Sequence, residues 1–331
     1  MQTTRTPGTG REARALAVAF GLAALSLAGT VSAQTYPTKS LRLVVPFPPG
    51  GGTDTLARQF ALQLAESLGQ PITVDNRAGA GGNLGAEIVA KAPADGYTIM
   101  LSSNSLVINA SLYQKLNYNA LTDLAPLALV ASAPLVLAVH PLVPVKGVKD
   151  LVAVAKKTRG GLNFGSNGNG TSSHLSGELF RISAGIDLTH IPYKGGPPVI
   201  AALLGGELDM GFTTLISAMP HVRAGKLRIL AVTTPKSSSA LPEAPPMSAF
   251  FPGYAIDIWY GIFAPAGTPA AIQERLTAEI RKAHGSATVR TAMERDGAEA
   301  AWMAPAEFVP FFKREIEKYG KLVKLAGAKA E

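Results

Sequence analysis

The chain has 331 residues, 47% of them hydrophobic, no cysteine and a formal net charge of +8. That length buries a sizeable core in one or two domains, and the missing cysteines exclude disulfide staples and thiol chemistry. Lys and Arg are scattered, with no run longer than Lys156-Lys157 plus Arg159 and no aromatic interleaving, which argues against a nucleic-acid face.

Residues 1–33 read as a targeting segment. Arg5, Arg11 and Arg14 form a basic start, 16–27 is a short apolar run, and Val31-Ser32-Ala33 supplies small residues at a cleavage site. About a dozen apolar residues are too few to span the hydrocarbon core. A cleaved signal peptide is expected, with Gln34 as the new N-terminus and a soluble, periplasmic product. Losing three bases and Glu12 leaves a net charge of about +6, a mild preference for acidic ligands.

The remainder alternates short β-rich runs with helical patterns. A strand at 41–45 precedes a helix at 53–68, whose Leu56, Phe60, Leu64 and Leu68 recur every four residues. A strand at 72–75, a helix at 84–92 and a strand at 97–101 follow. The pattern resumes with a helix at 148–157, a strand at 162–164, a helix at 172–184 and a strand at 188–191. Next come a helix at 198–204, a strand at 210–212, a short helix ending at 221–225 and a strand at 228–233. Residues 235–252, crowded with Ser, Pro and Ala, read as irregular. After a strand at 259–264 the segments 269–284, 289–296 and 305–325 look wholly helical. Such alternation predicts α/β architecture with a mostly parallel sheet.

Three glycine clusters each join a strand to a helix. In the first, VVPFPPGGGTDTLAR, Pro46, Pro48 and Pro49 stiffen the loop while Gly50, Gly51 and Gly52 let a ligand reach the backbone. Thr53 or Asp54 caps the following helix, whose free N–H groups and dipole favour a carboxylate or phosphate. The second, 77–85, narrowly misses a dinucleotide fingerprint because Leu84 stands at the third glycine position. The third, 163–174, repeats the first design: a strand, a loop containing Ser166, Asn167 and Gly170, then Thr171 and Ser172 as hydroxyl caps before His174. It lacks the lysine of a phosphate-binding P-loop. Two anion-ready helix starts in separate lobes suggest one ligand gripped between them. No GxSxG or HExxH motif occurs and the five histidines never fall at metal-ligand spacing, so neither catalysis nor a metal or cofactor is expected.

The segments PFPPGGGTDTLAR, VDNRAGAGGNLGAEIVAKAPADGYTI, NFGSNGNGTSSHLSGELF, HIPYKGGPPVIAALLGGELDMGF, AGKLRILAV and APAGTP, in this order, resemble the tripartite tricarboxylate transporter substrate-binding proteins, the Bug family. The resemblance implies a periplasmic two-lobed binding-protein fold of type II, with a C-terminal helical segment packed on lobe one. Lobe one would comprise 34–136 plus 259–331, and lobe two 137–258. It further implies a monomer that binds a dicarboxylate, tricarboxylate, acidic amino acid or aromatic acid and works with inner-membrane transporter subunits. At matching positions Phe47, Pro48, Pro49, Gly50, Gly51, Gly52 and Thr53 would form the first clamp, with Asp54 in the first helical turn and Ser103 and Asn104 alongside. Residues 166–174 would form the second clamp, backed by Tyr193, Lys194 and Gly195 and by Phe212, Thr213 and Thr214. A sensing module that presents its ligand to a kinase would use the same clamp, and an enzyme on a Rossmann-like lobe would depend on the 79–85 cluster.

Overall fold

Leu41–Val45 forms β1, and its near-continuous aliphatic run is buried on both faces, as a strand inside a helix-covered parallel sheet must be. The computed structural model describes residues 1–3 and 36–330, so the predicted signal segment lies outside the described residues apart from its first three. Lys39–Glu331 forms one compact unit. After β1 come α1 (Gly52–Leu68), β2 (Ile72–Asn76), a 3-10 turn (Ala80–Gly82), α2 (Asn83–Ala90), β3 (Thr98–Ser103), α3 (Ser105–Leu112) and β4 (Leu124–Val139). A second run holds α4 (Val148–Lys157), β5 (Leu162–Ser166), α5 (Ser172–Ala184), β6 (Leu188–Pro192), α6 (Gly196–Leu204), β7 (Met210–Thr214), α7 (Leu215–Arg223) and β8 (Arg228–Val232). The chain then returns through β9 (Asp257–Pro265), α8 (Ala270–Gly285), α9 (Ala287–Asp296), β10 (Glu299–Met303) and α10 (Pro305–Ala326).

The strands lie in the order β2-β1-β3-β9-β4-β7-β5-β6, with β8 and β10 also paired to β4. β1 is parallel to β2 and β3, and β5 is parallel to β6 and β7. Between these two parallel groups run β9 and the 16-residue β4, both antiparallel to their neighbours. Residues 124–134 of β4 pair with β9, and 135–139 pair with β7 and β8. One strand thus belongs to both halves of the molecule. The sheet is mixed, which corrects the mostly parallel sheet predicted. The sequence concealed β4 because Pro126 and Pro134 lie within it, and proline normally demotes a strand. The structure places Pro126 where the pairing register shifts and Pro134 at the last paired position with β9.

The three predicted C-terminal helices form, and between the last two lies a strand that the sequence did not show. β10, reading EAAWM, pairs antiparallel with β4; its alanines carry little β propensity, and only the available edge of β4 makes it a strand. The helices themselves follow their periodicity. Leu56, Phe60, Leu64 and Leu68 of α1 all face the core, and Gly69 ends the helix at φ 66°. Phe308, Phe311 and Phe312 of α10 surround Trp259 of β9 edge-on, and the Trp259 indole donates to Glu315 at 2.9 Å.

Candidate functional site

The loop between β1 and α1 is held from outside by Asp54. Its carboxylate accepts from the Gly50 amide, from Arg58 and from Asn76, each at 2.9 Å. Burial opposes ionisation of Asp54, but the bonds from Arg58, Gly50 and Asn76 outweigh it and hold the carboxyl below its ordinary range. Asn76 also donates to the Phe47 carbonyl. Asp54 therefore acts as a brace for the loop.

The loop after β5 is braced from within. Thr171 caps α5, accepting from the His174 amide and donating to the Gly168 carbonyl at 2.6 Å, while Ser173 Oγ receives the Asn167 amide at 2.8 Å. Two more helix starts lie beside it. α6 begins after Gly195, which sits at φ 106° where an added Cβ would be 2.6 Å from Pro48 Cγ. α7 is capped by Thr214, whose hydroxyl accepts from the Ser217 amide.

These loops enclose a cavity of about 30 Å³, room for about two waters or one carboxylate group. Phe47, Pro48, Gly51, Gly52, Thr53 and Ser103 line it from one half, and Asn167, Thr171, Ser172, Ser173, Gly195, Gly196 and Thr214 from the other. Leu135 of β4 and Ile258 of β9 complete the lining. Four helix N-termini open onto this space: those of α1, α5, α6 and α7. Among the described residues none of the lining side chains is charged. The halves meet directly here, through the Gly52 amide on Ser217 Oγ at 3.1 Å and Ser172 Oγ on Asn104 Oδ1 at 2.6 Å.

Of the residues singled out in the sequence, Phe47, Pro48, Gly51, Gly52, Thr53, Ser103, Asn167, Thr171, Ser172 and Thr214 come together around the cavity. Pro49 and Gly50 are exposed outside it. Asn104 is fully buried beside it, donating to the Asp257 carbonyl and the Tyr319 hydroxyl. Thr213 is also buried; its hydroxyl has no hydrogen bond and lies near Gly196. Gly170 and Ser166 stand behind the lining, and Tyr193 faces a neighbouring space. Gly196, Ser217, Leu135 and Ile258 were missed. Gly196 belongs to GGPP, the composition of the first loop in reverse, and Thr214 with Ser217 three residues on is a capping pattern, so both carried a readable signal. Leu135 and Ile258 had none, being ordinary strand residues until β4 and β9 bring them together.

His174 does not line the cavity either. Its ring stacks on His190 at 4.2 Å and its Nδ1 accepts from the Gly170 amide, which places the proton on Nε2. His190 stacks in turn on Phe164 and sits 2.6 Å from Ser166 Oγ. That Ser–His pair has a nucleophile's spacing, but Ser166 is fully buried and off the cavity, accepting from the Gly168 amide. The pair props the loop. Burial lowers His174 to about 4; burial and then the His174 charge lower His190 to about 3. Both lie below the ordinary value of 6.5, so the unfolded chain binds more protons between pH 6.5 and 4, and stability falls as pH falls through that window. Melting temperature should decline on acidification across it, and His190→Gln should flatten the decline. An unchanged slope in the variant rejects this assignment.

The comparisons with known proteins agree with this geometry. The profile described as Tripartite tricarboxylate transporter family receptor matches residues 56–328. Protein BugT of Bordetella pertussis is 38% identical over 311 residues, covering 93% of this chain and 95% of that protein. Rpa4515 of R. palustris, solved with adipate, superposes with a TM-score of 0.86 at 36% identity, over 89% of this chain and 99% of that one. The periplasmic binding protein BugD superposes with a TM-score of 0.86 at 31% identity, over 89% and 100%. The chain belongs to the tripartite tricarboxylate transporter receptor family, the Bug proteins, and has the two-lobed α/β fold of periplasmic binding proteins.

Proposed function

We propose that this protein is a periplasmic receptor that captures a small organic carboxylate between its lobes and delivers it to a tripartite tricarboxylate-type membrane transporter. The observation that carries the reading is the convergence of four helix N-termini on one cavity without a charged side chain. Each terminus carries about half a positive charge, so together they attract an anion while hydroxyls fix its orientation. The adipate bound by Rpa4515 supports a carboxylate ligand. Lobe one is 34–136 plus 259–331 and lobe two is 137–258. In support, the register of β4 changes partners between residues 134 and 135. Two strand crossings form a hinge, and the lobes close over the acid. The N-terminal segment exports the chain, and no helix among the described residues is long and apolar enough to cross a membrane.

A thermal-shift screen on protein recovered from the periplasm tests this reading, with intact mass expected to begin at Gln34. The screen compares citrate, dicarboxylates, acidic amino acids and aromatic acids with neutral sugars and cations. At a hundredfold excess over Kd an acid stabilises by about 2.7 kcal/mol, a shift of several degrees. A melt moved only by a sugar or a cation overturns it.

A further inference from the structure

The cavity is not the only place where the two halves meet. Helix α7 starts at the cavity, with Thr214 in its lining, and runs about 12 Å away from it to Arg223. Leu215, Met219 and Arg223 recur at four-residue spacing on one face of that helix, and all three meet the end of α9. Gly297 ends α9 at φ 82°, where an added Cβ would stand 2.8 Å from Leu215 Cγ and 3.1 Å from Met219 Cε. The turn there pairs the Met293 and Glu294 carbonyls with the amides of Ala298 and Gly297. The next carbonyl, that of Arg295, accepts from the Arg223 guanidinium at 2.7 Å, which sets a cation on the negative end of the α9 dipole. Asp296 ties the same helix end to α1 by accepting from Gln59 at 2.8 Å, and α1 starts at the cavity with Gly52 and Thr53. Both sides of this seat are thus connected to cavity-lining helices, yet none of its own residues lines the cavity.

We propose that the seat of α7 on the end of α9 is a latch that holds the lobes shut and sets how long an acid stays bound. The inference rests on the receptor reading and on its lobe division, which puts α7 in lobe two and α9 in lobe one. An acid enters the open form before α7 reaches α9. The latch therefore contributes nothing to the encounter and acts only on release. Arg223, Leu215 and Gly297 are positioning residues, acting through closure without touching the ligand. Glycine is required twice at 297, by its positive φ and by the side chains packed against it from the other lobe.

The chain has no cysteine, so Leu62→Cys in α1 and Leu142→Cys in lobe two, both exposed, accept a fluorophore pair that reads lobe closure by energy transfer. Rapid mixing with adipate, malate, citrate or glutamate, followed by dilution, gives the closing and release rates. Arg223→Met should release acid about three- to tenfold faster, the scale of one lost hydrogen bond, with the association rate unchanged. Gly297→Ala should release it about tenfold faster or more, because the added methyl group wedges α7 off α9. Gly69→Ala is the control. Gly69 ends α1 at φ 66° with nothing within 4 Å of an added Cβ, so it carries the same backbone strain without the contact. It should lower the melting temperature and leave release unchanged. Should Gly297→Ala not fold, Arg223→Met, a change to an exposed side chain, decides alone. If an acid closes wild type but either variant releases it at the wild-type rate, the latch is overturned and the receptor reading stands. Release from Gly69→Ala as fast as from Gly297→Ala has the same consequence. If none of the four acids closes wild type, both fall.

Discussion

Gly52→Asp is expected to remove measurable acid binding while the free protein melts within a few degrees of wild type. A Cβ at Gly52 would stand 2.9 Å from Thr214 Oγ1, 3.1 Å from the Tyr260 hydroxyl and 3.3 Å from Ile216 Cβ. Thr214 and Ile216 approach from the opposite half, so the side chain wedges the cleft where it must close. Overpacking of this kind costs about 1–3 kcal/mol. The added carboxylate also repels the ligand, by about 4 kcal/mol for charges about 4 Å apart at an effective dielectric near 20. Together these exceed a thousandfold in affinity. Gly52→Ala isolates the steric part and should cost about ten- to a hundredfold. Gly51→Ala should be mild, because its Cβ would meet only the Pro48 carbonyl at 3.4 Å and Pro197 at 3.7 Å. Calorimetry with the acid identified by the thermal screen checks the series. Wild-type affinity in Gly52→Asp would remove the first loop from the site.

Asn104→Ala should be the most destabilising of the conservative changes near the cleft. Asn104 is fully buried; its amide nitrogen donates to the Asp257 carbonyl and to the Tyr319 hydroxyl, and its oxygen receives Ser172. Truncation leaves the Ser172 hydroxyl unpaired in the interior, while Tyr319 keeps its own bond to the Asp257 carbonyl at 3.0 Å. Leaving buried groups unsatisfied costs about 1–3 kcal/mol each, so a loss of about 3 kcal/mol and a drop on the order of 5–10 °C are expected. Ser172→Ala removes one of the two bonds between the halves at the cavity and leaves Asn104 Oδ1 without that donor, and should cost about 1–2 kcal/mol. Urea midpoints with unchanged slopes would verify both. A loss below about 1 kcal/mol in Asn104→Ala would show that the Asn104 network contributes little to stability.

Much of the site was legible locally. Strand, glycine loop and hydroxyl-capped helix form a contiguous pattern, so Gly52, Thr53, Thr171 and Ser172 could be picked from spacing alone. What the contiguous pattern left open was the direction in which each polar side chain turns. Asp54 and His174 sit at the right places in sequence, yet their side chains turn to Arg58 and Asn76 and to Gly170 and His190. Nothing local distinguishes a polar group that faces a ligand from one that props the loop behind it.

The amino-acid sequence by itself determined the α/β alternation, the apolar stripe of α1, the irregular 235–252 connection and the two anion-ready loops, because each depends on residues within a few positions of one another. Only the tertiary structure decided that β4 and β10 are strands, since Pro126 and Pro134 argue against the first and a weak alanine-rich pattern hides the second until an edge is available to pair with. It alone decided the convergence of the helix starts of α1, α5, α6 and α7, whose first residues, Gly52 and Leu215 for example, stand far apart in the chain. Helix dipoles and N–H groups act over a few ångströms. Their sum at one point therefore depends on where β4 and β9 bring the two halves together, and no local pattern encodes that distance.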